Sequence, residues 1–543
     1  MQFQCFSPLR KSSFNFKLGD QTAERFVMLL DTLAAGADKC KAAGLMHGHD
    51  VQAKHYMRYN KNMLVPFCMV KLALCDGVRQ DDTEQFRIIK WRSSKCRILW
   101  HLPSIVLKSW WEYYNGGEVW EARPFRHSLL WMAPFLSGGG YSSEAISYVT
   151  GLEAAKMVQK LQIRQHGDLE SAVFWRGLPP DTKRSLLSLF REDIHLSSSV
   201  VICHSEPGAW YPPLFQTSPC PPTGYEEPLF TIGRTMFETD RVNPDHVKRC
   251  NRMDEIWVPT QFHVETFTRS GVEATKLVKV VQAVDTDFFN PANVKKLLLP
   301  RGQSLFHTKH PEDLKESRNK PFVFLSIFKW EVRKGWDTLL RGYLQEFSGG
   351  DNVVLYVLTN RYHMTNKEFS SLLDGFVDSL EIPEPEGGWP AVYLVPRHIP
   401  QVDLPGLYKL ADCFVLPSHG EGWGRPIVEA MAMELPVIVT NWSGMTEYMT
   451  DFNSYPLPLD GMTEVLDGPF KGHLWAEPSL AHLRLLMRKV FSNPREAKRR
   501  GKVARKDMVT KFSPEVVTRN ILKQLMRLQK EIQLQERRDD PAL

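Results

Sequence analysis

The feature that most constrains the fold is a set of short apolar runs, spaced far enough apart for a helix to fit between them. In the second half of the chain these runs begin at Pro321, Asn352, Ala391, Cys413 and Pro436. Runs of this kind are typical of strands that are buried on both faces and joined by crossover helices. The pattern predicts an α/β fold with a parallel sheet.

A similar series comes earlier in the chain. An apolar stretch from Leu129 leads into a triple glycine, and further apolar runs begin at Ser199 and Glu255. A buried strand, a glycine turn and a helix form the first unit of a doubly wound sheet, with Ser142 or Ser143 as the predicted helix cap. Two such series in tandem predict two Rossmann-like domains whose parallel sheets face a cleft.

The 543 residues leave room for more than these two domains. We expect an N-terminal extension of unknown role at residues 1–125, Rossmann-like domains at 126–318 and 319–500, and C-terminal helices at 501–543 that cross back to the first domain. In the extension, buried aromatic packing and a carbohydrate-stacking or partner surface are both open interpretations of the tryptophans. These tryptophans are Trp91, Trp100, Trp110, Trp111 and Trp120.

Composition excludes several classes of protein. The 68 lysines and arginines exceed the 62 acidic residues by only six charges, so no nucleic-acid-binding face is predicted. The nine cysteines are scattered without a C-x-x-C pair, which predicts reduced, mostly buried thiols rather than disulfides or a zinc site. Charged residues interrupt the longest apolar runs, so no membrane span is predicted.

The segment with the clearest chemistry runs from Leu416 through a glycine-rich loop into a helix. Gly422 and Gly424 allow backbone N–H groups to approach a ligand closely, and a helix N-terminus favours an anion such as a diphosphate. Glu421 and Glu429 are eight positions apart, so one carboxylate can face a hexose while the other binds ribose hydroxyls. Alternatively, Glu429 complements the helix dipole and Glu421 is a solvated loop acid.

This segment resembles the Glu-x7-Glu signature of the retaining GT-B glycosyltransferases of family four (glycosyl transferases group 1). The run from Lys329 to Leu340 resembles the family's basic loop and helix, and Pro436 to Gly444 follows the signature at the expected spacing. The resemblance extends from about residue 129 to the end. It implies that the first domain holds the acceptor and the second a nucleotide diphosphate sugar, with no cofactor beyond this co-substrate.

The resemblance implies a role for each matching residue. Lys334, with Arg333 or Lys329, neutralises the diphosphate. Lys329 stands near the position where the family has arginine, and whether Lys329 or Arg333 takes the place of that arginine stays open. Glu421 contacts the sugar and Glu429 the ribose. The other residues expected near the donor are Gly138, Gly139, Gly140, Gly422, Trp423, Gly424, Ser443 and Gly444.

In the first domain, His204 follows an apolar strand and is expected to face the crevice. There it would hydrogen-bond the transferred sugar or polarise the region of the anomeric carbon, whereas a purely structural histidine is the alternative. Glu238 is a weaker candidate, because it could equally cap a helix. Asp285 and Asp287 form a D-x-D pattern, but their place between the two domains predicts no metal.

Two further features bear on folding and location. Glu434 stands where the family has a helix-ending glycine, so it is expected either to adopt a left-handed backbone conformation at some cost or to end the helix differently. The basic cluster from Arg495 to Lys506 predicts either a solvated helix face or peripheral contact with anionic lipid. Asn441 begins a glycosylation acceptor sequence inside the predicted donor site, where a glycan would block binding, and this favours a cytoplasmic location.

The sequence therefore predicts a retaining, metal-independent hexosyltransferase. A GT-B-fold binding or scaffold protein without turnover is the first alternative, and an NAD-dependent oxidoreductase is the second. The sequence does not identify the base or the hexose, and a carbohydrate, a lipid and a small molecule are all open as the acceptor.

Overall fold

The structure, a computed structural model, divides into two compact units, Met1–Ala122 and Arg123–Leu543. The described residues are 2–4, 69–73, 86–93, 96–103, 124–224, 226–295, 297, 302–306, 320–360, 365–379, 381–396 and 399–539. Trp110, Trp111 and Trp120 lie outside them, so the interpretation of these aromatic residues stays a prediction.

The first unit contains an antiparallel sheet. Its strands are β1 (Gln2–Gln4), β2 (Met69–Ala73), β3 (Phe86–Ser93) and β4 (Cys96–Pro103). Their order in the sheet is β1-β2-β4-β3, and β3 pairs with β4 along its whole length, from Phe86 opposite Pro103 to Ser93 opposite Cys96. Trp91 and Trp100 lie on this pair of strands.

The second unit begins with a parallel sheet in the order β10-β9-β8-β7-β5-β6. Its strands are β5 (Ser128–Ala133), β6 (Leu161–Gln165), β7 (Ser199–His204), β8 (Phe230–Arg234), β9 (Glu255–Val258) and β10 (Leu277–Lys279). All described pairings in it are parallel. The central strands are buried on both faces, as their continuous apolar runs indicate.

A second sheet follows in the order β11-β14-β13-β12-β15-β16-β17, parallel except for β11. Its strands are β11 (Gln303–Ser304), β12 (Phe322–Lys329), β13 (Val353–Asn360), β14 (Ala391–Val395), β15 (Cys413–Leu416), β16 (Val437–Thr440) and β17 (Tyr455–Leu457). A separate hairpin consists of β18 (Leu459–Glu464) and β19 (Leu474–Pro478).

Helices connect and cover these strands. Around the first sheet they are α1 (Gly140–Ala155), α2 (Ala172–Gly177), α3 (Pro180–Arg191), α4 (Pro244–Cys250) and α5 (Gln261–Ser270). Around the second they are α6 (Trp336–Glu346), α7 (Asn366–Asp378), α8 (Leu404–Tyr408), α9 (Arg425–Ala432), α10 (Leu480–Ser492) and α11 (Pro494–Lys511), and the chain ends with α12 (Pro514–Asp539). The predicted α/β class with two Rossmann-like parallel sheets is confirmed.

Helix α12 follows the helices of the second sheet but packs on α1 of the first. Thr518 lies so close to Gly151 that a Cβ added to Gly151 would be 2.2 Å from Thr518 Oγ1. Arg126 N donates a hydrogen bond to Gln529 Oε1 at 2.8 Å. Where the chain crosses, Val284 N donates to Phe512 O at 2.9 Å. The two segments that join the sheets are therefore in direct contact.

Two local predictions were wrong. Helix α1 begins after Gly139, and no side chain caps its N-terminus. The Ser142 hydroxyl, a predicted cap, instead donates a hydrogen bond to Phe135 O at 3.0 Å. Cys203 and Cys220 form a disulfide rather than remaining reduced thiols. The loop after β7 folds back on the strand end, where Tyr211 N donates to Cys220 O at 2.8 Å, and this brings the two cysteines together.

Candidate functional site

The strand order of the second sheet marks where a ligand would bind. From β12 the chain winds outwards through β13 to β14, then returns to β15 on the other side of β12 and winds the opposite way. In open parallel sheets, ligands bind outside the carboxyl ends of the strands where the winding direction reverses. The loops after β12 and β15, which carry Arg333, Lys334 and Glu421, lie at this point.

Charged side chains from these two loops meet. Lys334 Nζ donates to Glu421 Oε1 at 2.6 Å, and Arg333 Nη1 lies 3.4 Å from Glu421 Oε2. Arg333 also donates to Gly420 O at 2.7 Å, which ties the two loops together through the backbone. The structure thus brings together three of the predicted site residues.

The charge state of Glu421 follows from its partners. Burial alone would raise the pKa of its carboxyl, but Lys334 and Arg333 outweigh this effect and hold the pKa below its ordinary value. Burial opposes the charged form of Arg333 as well, yet the surrounding carboxylates raise the pKa of its guanidinium. The cluster therefore holds fixed, oppositely charged groups at neutral pH.

One glycine allows the Glu421 loop to pack on the loop after β16, and another allows helix α9 to begin directly after it. A Cβ on Gly444 would lie 2.2 Å from Gly422 O and 2.6 Å from Glu421 O, so only glycine fits there. Gly444 N donates to Glu421 O at 2.9 Å, and Ser443 Oγ donates to the same oxygen at 3.1 Å. Gly424 has a φ of +84°, a left-handed conformation that favours glycine at the start of α9.

The structure separates the side chain of Trp423 from this cluster. Trp423 is 2% exposed and packs against Tyr448 and Phe512, with ring centroids 5.2 and 5.7 Å away. Its side chain is therefore not exposed to a ligand, and a contact of the Trp423 backbone with the donor stays a prediction. The cause is the apolar pocket under the loop, which an indole fills well.

Glu429 lies on α9 and is also buried. Its Oε2 accepts a hydrogen bond from Tyr408 OH at 2.9 Å. Burial raises the pKa of its carboxyl, and Arg425 and Tyr408 counteract this only in part. A contact of Glu429 with ribose stays a prediction.

The first sheet reverses its winding between β5 and β7, and the glycine loop and His204 follow these strands. Gly138 has a φ of +79° and Phe174 packs against it, while Gly140 has open space around its Cα. A Cβ on Gly139 would be 3.7 Å from Asp168 Oδ2. Burial raises the pKa of Asp168, and the charge of Lys329, an exposed residue of the second sheet, partly offsets this increase.

His204 occupies a different environment from the open crevice that we predicted. Its side chain is fully buried, and its Nδ1 accepts from Trp131 Nε1 at 3.1 Å. Its Nε2, which must then carry the proton, lies 3.1 Å from Glu144 Oε2. Both ring nitrogens are therefore bonded within the protein, and the structure leaves neither for a sugar.

The network around His204 is a buried charged cluster. Arg234 donates from Nε to Glu144 Oε1 at 2.9 Å, and Tyr148 OH donates to the same oxygen at 2.7 Å. Burial opposes the ionised form of Glu144, but Arg234 and His204 lower the pKa of its carboxyl to about 2. Burial likewise keeps His204 neutral by lowering its pKa. This environment favours the structural interpretation of His204.

Sequence reasoning gave Glu238 too little weight. Glu238 belongs to the loop after β8, yet its Oε1 lies 3.1 Å from Arg333 Nε, across the gap between the two sheets. Strand β8 was not predicted, because Gly233 interrupts its apolar pattern; Trp210 fills the space where a Cβ would stand. Recognising β8 would have placed Glu238 at the carboxyl end of a central strand. Asp285 caps a turn by accepting from Phe288 N at 2.9 Å.

Comparisons with known proteins find a family match for the part of the chain that contains Glu421 and Glu429. Residues 391–507 match the family model of "Glycosyl transferases group 1". This segment, which is less than a quarter of the chain, is thus similar to the group 1 glycosyltransferases. The similarity to this family that we inferred from the sequence is thereby confirmed.

Similarity to individual known proteins is local. The chain is 44% identical to O-antigen chain mannosyltransferase B of Escherichia coli over 54 residues, which are 10% of this chain and 14% of that protein. It is 29% identical to glycogen synthase of Mycobacterium tuberculosis over 120 residues, 22% of this chain and 25% of the synthase. The chain thus matches a quarter or less of the length of these relatives.

Among solved structures, the chain is similar to sucrose-phosphate synthase of Thermosynechococcus elongatus. The TM-score is 0.48 and the identity 13%, with 74% of this chain and 99% of that chain covered.

The group 1 segment does not include the basic loop. Lys329, Arg333 and Lys334 precede it in the chain, and only the fold brings Arg333 and Lys334 to Glu421. Within the segment, α11 carries the basic cluster, and two of its arginines are directed into the protein. Arg505 Nη1 donates to Phe289 O at 2.9 Å, and the Arg500 guanidinium lies 4.3 Å from the Tyr455 ring centroid. Contact of the remaining basic residues with lipid stays a prediction.

No helix within the described ranges is long and apolar enough to cross a membrane. The cytoplasmic location stays a prediction, as does the effect of a glycan at Asn441, which is exposed at the start of the loop after β16.

Proposed function

We propose that the chain is a glycosyltransferase that moves a hexose from a nucleotide diphosphate sugar to an acceptor, with retention of configuration and without a metal ion. The observation that carries this proposal is the contact of Lys334 and Arg333 with Glu421 at the reversal point of the second sheet. Cations at this point suit a diphosphate, and a carboxylate beside them suits sugar hydroxyls.

The cations would act on the bond that breaks. As the bond between the anomeric carbon and the phosphate oxygen lengthens, negative charge grows on the diphosphate, and Lys334 and Arg333 stabilise it. Glu429 would accept hydrogen bonds from the ribose, and the backbone from Trp442 to Gly444 would lie near the sugar. The first domain would hold the acceptor, whose oxygen attacks from the face that the phosphate leaves.

The position of Glu421 supports attack from the front face. Both of its oxygens are already paired with cations, so it is not free to form a covalent bond to the sugar. In the proposed step the acceptor oxygen bonds to the anomeric carbon, the carbon–phosphate oxygen bond breaks, and the acceptor proton passes to the departing phosphate. His204, buried and doubly bonded, has no assigned part in this step.

Saturation-transfer NMR against UDP-, GDP- and ADP-sugars tests donor binding and identifies the base. Transfer and hydrolysis are then followed with the donor that binds. Lys334→Ala and Glu421→Ala are expected to lower kcat by about 100- to 1,000-fold, the usual effect of removing one group that stabilises transition-state charge. Lys248→Ala serves as the matched control, because the Lys248 side chain is 74% exposed and pairs with Asp245 on the surface.

The results separate the alternatives. Donor binding without transfer or hydrolysis would favour a binding or scaffold protein. Binding of a nicotinamide cofactor, with Lys334→Ala tolerated, would favour an oxidoreductase. Full activity of Glu421→Ala would refute the role of the carboxylate.

A further inference from the structure

Glu238 is held against the donor-side loops by the opposite sheet. Its carboxylate lies 3.1 Å from Arg333 Nε, and a Cβ on Gly420 would be 2.4 Å from its backbone oxygen. The Glu238 and Arg333 side chains are only 23% and 19% exposed, so solvent screens their attraction less than it would on an open surface. The contact joins the loop after β8 to the loop after β12.

The charges around Arg333 do not favour an anion as they stand. Two cations, Arg333 and Lys334, face three carboxylates, those of Glu238, Glu331 and Glu421. A diphosphate placed among them would meet a net negative cluster. Withdrawal of one carboxylate would remove this net negative charge and leave Arg333 with a free partner position for a phosphate oxygen.

The structure indicates which carboxylate can leave. Glu421 is fixed by Lys334 at 2.6 Å and by the packing of its backbone on Gly444. Glu331 is two positions from Arg333 in the same loop, so it moves with Arg333. Glu238 comes from the other sheet, and its carboxylate can withdraw without rearranging the loops after β12 and β15.

We propose that the Glu238 carboxylate occupies the place on Arg333 that a donor phosphate takes, so that diphosphate binding displaces Glu238 and is coupled to a change in the spacing of the two sheets. This inference rests on the proposed donor site. It makes Glu238 a residue of the first domain that sets the affinity of a site in the second, and it assigns no covalent step to Glu238.

Glu238→Gln tests the proposal, because it keeps the size of the side chain and removes its charge. Binding of inorganic pyrophosphate and of UDP, GDP and ADP is measured by calorimetry on the full chain. We expect the Glu238→Gln variant to bind pyrophosphate and the preferred nucleotide three- to tenfold more tightly than the wild type, with the gain decreasing at high salt.

Glu331→Gln is the matched control, since it removes a carboxylate that also contacts Arg333 but lies on the same side of the gap. The distance between the sheets is measured with fluorophores on non-natural residues at the exposed positions Leu187 and Leu485. We expect ligand-free Glu238→Gln to show the distance that the wild type shows with pyrophosphate bound. Glu331→Gln should retain the ligand-free distance.

Two results would overturn the inference. One is unchanged or weaker pyrophosphate binding by Glu238→Gln while the wild type binds; the other is a distance that neither Glu238→Gln nor pyrophosphate alters. A wild type that binds none of the probes would refute the donor site itself, which distinguishes failure of the proposed function from failure of this coupling.

Discussion

Replacing Gly444 with alanine would test whether the position of the Glu421 loop limits catalysis. The new Cβ would be 2.2 Å from Gly422 O and 2.6 Å from Glu421 O, and a carbon and an oxygen in ordinary contact are more than 3 Å apart. Gly444 and the backbone around Glu421 must therefore separate by about 1 Å. A misplacement of about 1 Å in a group that positions a substrate can lower the rate about 100-fold.

We expect Gly444→Ala to lower kcat about 100-fold and to cost about 1–3 kcal/mol of unfolding free energy, as is usual when a methyl group overfills a packed site. Initial rates with the donor found by NMR and urea unfolding of the same samples measure both. The control is Gly375→Ala in α7, where nothing lies within 4 Å of an added Cβ. A kcat within twofold of the wild type for Gly444→Ala would refute the reasoning.

Three further changes concern stability. Burial lowers the pKa of His263 to about 3 and that of His166 to about 4, whereas an unfolded histidine has a pKa of 6.5. Below pH 6.5 the unfolded chain therefore binds more protons than the folded one, and the free energy of unfolding must decrease as the pH is lowered. At pH 5 each histidine should cost about 2 kcal/mol, measured by urea unfolding at pH 7 and pH 5. Equal stability at the two values would contradict this. Glu434 has a φ of +63°, so Glu434→Gly should raise the free energy of unfolding by about 1 kcal/mol and shift the urea midpoint upwards. A lower midpoint would show that no strain was relieved. Cys203→Ser opens a bridge that spans 17 positions to Cys220 and should cost about 3 kcal/mol; dithiothreitol should destabilise the wild type but leave this variant unchanged.

Of the two ways in which the helix was expected to end at Glu434, the structure shows the left-handed conformation, and the reason is local. A residue in the left-handed conformation is a common helix ending, and here it closes the short turn from α9 into β16. The buried strands were predictable for a similar reason, because β12, β13 and β15 are apolar along nearly their whole length. Edge strand β6 was missed, since Leu161–Gln165 alternates polar and apolar residues and its end is exposed.

Contacts between distant segments were less predictable. The sequence places Arg333 beside Lys334, but the pairing with Glu238 depends on how two sheets meet, about which local pattern carries no information. The Cys203–Cys220 bridge depends in the same way on a loop that folds back. Trp423 was assigned to the donor from its place in a motif, and only tertiary packing shows that its ring fills the core.

The contact between Val284 and Phe512 has a mechanical consequence. The chain passes between the two sheets twice, and the hydrogen bond from Val284 N to Phe512 O holds the passages side by side. Two adjacent tethers leave a pair of bodies free to swing about a common line while they resist sliding and twisting apart. A rotation of the sheets about this line would change the distance between Thr239 and His473 together with the distance between Glu238 and Arg333.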